Sequence, residues 1–67
     1  MGHGFKSERI KEAANKSSQS LKELGESIQV SPALIYQYVR GIKPVPQETL
    51  EAIASSTGVS IDFFFEN

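Results

Sequence analysis

The residues able to do chemistry in this chain crowd into one short stretch: Pro32, Ala33, Tyr36, Gln37 and Arg40, with Lys43 just beyond. They do not make a catalyst. The only histidine is His3, near the terminus, and there is no cysteine. The carboxylates Glu8, Glu12, Glu23 and Glu26 fall on polar helix faces with no nucleophile, base or metal cluster beside them, so an enzyme and a bound cofactor are both rejected. Hydrogen bonding and charge pairing remain. The Gln37 carboxamide carries a donor beside an acceptor, which fits the N6 and N7 edge of adenine. Ala33 and Pro32 offer small apolar surface suited to a thymine methyl, although both also simply start a helix well. Tyr36 has two readings: its hydroxyl reaches a phosphate or a base, or its ring covers the core. Arg40 and Lys43 can pair with phosphate, which positions a protein without reading sequence. For Arg40 the alternative is a favourable charge at a helix C-terminus.

Two helices must hold these groups, and the run Leu21 to Arg40 (LKELGESIQVSPALIYQYVR) supplies them. Leu24 and Ile28 share one face of the first. Val30 plugs the turn, and Ile35 and Tyr38 share the inward face of the second. Gly25 is small where the two helices must cross closely. Ser20 with Glu23 makes a capping box. Ser31 is an N-cap followed by Pro32 at the first helical position, where a missing N–H costs nothing. This is a helix-turn-helix pattern, whose second helix is built to enter a DNA major groove. Ser20 and Ser31 also mark helix starts whose N–H groups can receive phosphate oxygens.

The rest of the chain reads as further short helices. Ser7 is a candidate N-cap for a first helix running to Lys16. Gly41 ends the third helix as a C′ glycine. Pro44 and Pro46 keep the link Ile42–Val45 extended. A fourth helix starts near Pro46, turns Leu50, Ile53 and Ala54 inward, and stops at Gly58. Ser60 caps a last one, Ile61 to about Phe65. The expected fold is all-α, a compact five-helix globule in which helices 2 and 3 form the helix-turn-helix. Its expected core is Ile10, Ala13, Leu24, Ile28, Val30, Ile35, Tyr38, Leu50, Ile53, Val59 and Phe64.

Sixty-seven residues make one domain, near the lower limit for a self-sufficient core. Residues 1–6 read as a disordered N-terminus or expression scar, and residues 7–67 as the domain. The absence of cysteine, signal peptide and any long apolar run points to the cytoplasm and away from a membrane. The net charge is −1 but unevenly spread. Residues 1–22 carry +3, residues 23–43 balance, and residues 44–67 carry −4 with no base at all. A polarised domain can offer its basic side to phosphate, and Lys6, Arg9 and Lys22 could add long-range attraction.

Five stretches, ERIKEA, SLKELGESIQVS, IYQYVRG, ETLEAIA and TGVSIDFFF, together resemble the phage-repressor or Xre-type (Cro-like) helix-turn-helix family over roughly residues 5–65. The closing GVSIDFFF also resembles DNA-binding domains that precede zinc-dependent peptidases, but this chain has no HExxH motif. Two departures stand out. Gln29 occupies the turn position where the family usually has glycine, at a cost on the order of 1 kcal/mol in a left-handed conformation. Leu21 stands where a phosphate-holding polar residue is common.

The resemblance implies double-stranded DNA as partner, with first-turn residues and Gln37 against base edges. It implies a transcriptional regulator, a repressor bound as a dimer to a two-fold symmetric operator, in a bacterium or phage. It places the dimer contact in the link after helix three and in the last helix, hence Val45, Phe63 and Phe65, with Ile42 also apolar; dimerisation could occur only on DNA. A partner domain beyond the C-terminal end stays open. The competing reading is a protein-interaction module, an antitoxin or the regulatory head of a longer protein, using the apolar C-terminal helix. Fold alone does not separate the two.

Overall fold

Helices form where caps and apolar spacing coincide, and a computed structural model describes them for residues 4–65. His3 and Glu66 lie outside the described residues. α1 spans Arg9–Lys16, α2 Leu21–Ser27, α3 Pro32–Val39 and α4 Gln47–Thr57. A 3₁₀ helix, Ile61–Phe64, follows, and there is no strand among the described residues. No described helix is long and apolar enough to cross a membrane.

The expected fifth helix is therefore corrected to one 3₁₀ turn. Its four residues are too few for an α-helical ladder, and Ser60 makes no side-chain cap. Ser7 is corrected likewise. An N-cap needs extended backbone, as at Ser20 (ψ 164°) and Ser31 (ψ 150°). The residue before α1 is Glu8, whose φ of −65° and ψ of −19° are already helical, and it makes no side-chain cap. Ser7 instead belongs to a turn, in which Arg9 N–H donates to Lys6 O at 2.9 Å and Ile10 N–H to Ser7 O at 3.1 Å.

Ile10, Leu24, Ile35, Ile53 and Phe64 are fully buried, joined by Ala13, Ala14, Tyr38, Leu50 and Ala54. Ile28, Val30 and Val59, expected in the core, are only half-buried and pack along its edge. The packed structure also begins earlier than residue 7. The Phe5 ring lies 6.1 Å from Phe64 and 5.7 Å from Phe65, and Lys6 N–H donates to Phe64 O at 2.8 Å. Rings with centroids this close attract beyond their burial, which holds the segment before α1 on the C-terminal turn.

α1 packs on all three other helices and on the 3₁₀ helix. The 3₁₀ helix packs on α1 and α4 and not on α2 or α3. A polar latch ties α2 to α4: Ser27 Oγ lies 2.7 Å from Ser56 Oγ, and Gln19 Nε2 donates to Ser56 O at 3.2 Å. α2 and α3 pack on each other, with α2 also against α1 and α4 and α3 against α1.

Candidate nucleic-acid interface

The geometry of α3 starts with what precedes it. Gly25 of α2 faces Val30 and Ile35, and a Cβ there would stand 2.6 Å from Val30 O and 3.1 Å from Ile35 Cγ1. Only glycine lets the helices close to this distance. The turn is completed by Gln29, whose φ of 62° is left-handed, as the resemblance implies. Ser31 Oγ then accepts from Leu34 N–H at 3.2 Å, and Pro32 opens the helix.

Spacing decides the two faces. Pro32, Tyr36 and Arg40 recur every fourth residue, as do Ala33 and Gln37, so these side chains share one side of α3. Pro32, Ala33, Tyr36 and Arg40 are exposed and Gln37 is half-buried. Ile35 and Tyr38 point the other way, into the core. At 53 % exposure, Tyr36 is not a cover for the core. Leu34 packs against the core edge.

α3 ends in a Schellman motif: Ile42 N–H donates to Gln37 O at 2.9 Å and Gly41 N–H to Tyr38 O at 3.1 Å, with Gly41 at φ +74°. Of the link expected to be extended, Ile42 and Lys43 instead form a bend, and no turn or bend follows at 44–46, where Pro46 is extended. This places Arg40 and Lys43, both exposed, on either side of the cap. Among the described residues, the Gln37 amide, Tyr36 hydroxyl, Arg40 guanidinium and Lys43 ammonium make no hydrogen bond or ion pair. Four polar groups thus stand on or beside one exposed face with their bonding capacity unspent.

The helix starts are more restricted than their serines suggest. At α2 the capping box is complete: Ser20 Oγ accepts from Glu23 N–H at 3.0 Å, and Glu23 Oε1 accepts from Ser20 N–H at 2.8 Å. That N–H is occupied and a carboxylate sits beside it. At α3, proline at the first position removes a donor.

The basic first third is also partly committed elsewhere. Arg9 Nη1 donates to Phe63 O at 2.9 Å, its guanidinium lies 5.0 Å from the Phe63 ring, and Lys16 Nζ lies 5.7 Å from the same ring. These cations gather at the 3₁₀ helix, which does not itself pack on α3. Of the apolar residues read as a dimer contact, Val45, Phe63 and Phe65 are each half-buried against the core. Phe63 meets Phe64 edge-on at 5.6 Å and Phe65 meets Phe5 at 5.7 Å. Ile42, 61 % exposed, offers far more open surface.

Sequence reasoning missed Phe5 and the nearness of Ser7 to the end of α3, where a Cβ on Gly41 would stand 3.3 Å from Ser7 Oγ. An isolated phenylalanine in a polar leader was the available signal for the first. The second has none, because it depends on where the chain folds back. A family model described as helix-turn-helix matches residues 9–64. No curated protein matches the chain.

Proposed function

The chain belongs to the Xre-type helix-turn-helix family of DNA-binding regulators, and from that premise we propose that it represses transcription by covering an operator with α3 in the major groove. The observation that supports this most is the shared face of α3, on which Gln37 and Tyr36 have unspent hydrogen-bonding groups while the opposite face is core.

In this reading Gln37 pairs bidentately with adenine, Ala33 and Pro32 meet thymine methyls, and Tyr36 bonds a base or a flanking phosphate. Arg40 and Lys43 hold phosphates on either side of the α3 cap. Ser31 contributes its hydroxyl proton. At the start of α2 the free Leu21 and Lys22 N–H groups take the phosphate, and Ser20 acts through its cap.

Because α3 carries no cation before Arg40, arginine pairing with guanine is confined to its last turn. The operator is then weighted toward A·T pairs and read partly through groove shape. One such domain binds modestly, and two copies on a two-fold symmetric site restore affinity through avidity. Their contact uses the remaining open edges of Val45, Phe63 and Phe65. The site of action is the bacterial nucleoid.

Selection of bound sequences from random duplex DNA tests the reading. Enrichment of a two-fold symmetric, A·T-weighted site is expected. No enrichment at low salt with the fold intact would reject it in favour of a protein-interaction module.

A further inference from the structure

Gln37 brings to the exposed side of α3 a planar group with a donor beside an acceptor. Its neighbours there cannot take over that task. Pro32 and Ala33 have no polar side-chain atom, the Arg40 guanidinium only donates, and Tyr36 has a single hydroxyl. Leu34 packs against the core edge, and Ile35 and Tyr38 are buried. The backbone of Gln37 is also tied down. Its carbonyl accepts Ile42 N–H at 2.9 Å and Lys43 N–H at 3.5 Å, which closes the end of α3. Its side chain is half-buried. Gln37 therefore has little freedom to withdraw from a base edge whose shape changes.

We propose that Gln37 makes this protein discriminate against operators methylated at adenine N6. The inference rests on the DNA-binding reading above and names a regulation of that same site. In a duplex, adenine N6 carries two protons. One pairs with thymine O4, and the other faces the major groove beside N7. Gln37 Oε1 accepts the groove-facing proton and Nε2 donates to N7. A methyl group that leaves the base pair intact takes the place of that proton. Oε1 then meets a methyl and has nothing to accept from, while N7 is unchanged. An acceptor shut away from water and left unpaired is costly.

Tyr36 or Arg40 can donate to N7, but neither restores a bond to N6, which has no proton left to give. Gln37 itself is held at its backbone and cannot shift along the groove to make room. Occupancy of the operator then follows the modification state of its adenines, and the unmodified site is the one bound.

The test crosses protein variants with base variants. Each adenine of the duplex selected from random DNA is replaced in turn, together with its two-fold mate, by N6-methyladenine. Wild type, Q37A and Q37L are titrated onto each duplex at fixed salt, with circular dichroism confirming the fold. At one adenine position the methyl group is expected to lower wild-type affinity by about tenfold or more, and to leave the affinity of Q37A unchanged. Q37L keeps the length of the side chain and presents an apolar tip. It is expected to bind the methylated duplex at least as tightly as the unmethylated one, and it keeps the test decisive even if Q37A fails to fold. A purely structural role for Gln37 would lower the melting temperature and leave the methyl effect the same in wild type and variants. Methyl effects equal in all three proteins, or absent from wild type at every adenine, would overturn the inference. A folded wild-type chain that selects no site at low salt would overturn the DNA-binding reading itself, and this inference with it.

Discussion

Gly25 and Val30 meet backbone to backbone: Val30 N–H donates to Gly25 O at 2.8 Å, and a methyl on Gly25 would stand 2.6 Å from Val30 O. This approach sets the angle at which α3 leaves α2. Overpacking of this kind typically costs about 1–3 kcal/mol, against up to about 1 kcal/mol regained from helix propensity. Gly25→Ala is therefore expected to lower the urea midpoint without changing the slope of the transition. An unchanged midpoint would mean that the helices are not this close.

Gln29 sits at φ 62° with its side chain exposed and no hydrogen bond from it among the described residues. The left-handed conformation costs a non-glycine residue about 1–2 kcal/mol, while glycine gives up about 0.4–1 kcal/mol through the freedom of the unfolded chain. Gln29→Gly is expected to raise thermal stability slightly. A clear loss would show that Gln29 makes a contact its exposure does not suggest.

Two serines that look alike should behave differently. Ser20 caps α2 with a complete box, whereas Ser60 makes no side-chain cap. Ser20→Ala is expected to cost about 1 kcal/mol, and Ser60→Ala close to nothing. Chemical denaturation of the two variants decides it, and equal losses would remove the distinction.

The contrast shows where local sequence rules suffice. The Ser20–Glu23 box, Pro32 at the start of α3 and Gly41 after its end all follow from residues within a few positions of each other, whereas the left-handed Gln29 is what the resemblance implies. Ser7 and Ser60 have the right residue type, but neither cap forms, because backbone shape and the short 3₁₀ turn intervene. Contacts between distant parts of the chain were not legible. Arg9 bonding to Phe63 and Phe5 on Phe64 and Phe65 join the start of the chain to its end. Their pairing is decided by the fold, so Arg9 reads as a free cation and Phe5 as part of a leader. The exposed face of α3 was legible in part: helical periodicity alone separates Gln37 from Ile35 and Tyr38, but it leaves Tyr36 open until its exposure is seen.

Phe63 tests the proposed dimer without demanding a new fold. Its ring lies beside Arg9 and Lys16, so a carboxylate at this position still meets positive charge. Phe63→Glu is expected to stay folded and to shift sedimentation toward the monomer. If the wild type sediments as a dimer and the variant does so equally, Phe63 is not in the contact.

The most direct measurement compares wild type and Gln37→Ala on the selected duplex and on a scrambled one at fixed salt. If α3 reads bases through Gln37, the variant loses about 1–3 kcal/mol on the selected site and almost nothing on the scrambled duplex. Equal loss on both, or none on either, would contradict base reading by this face.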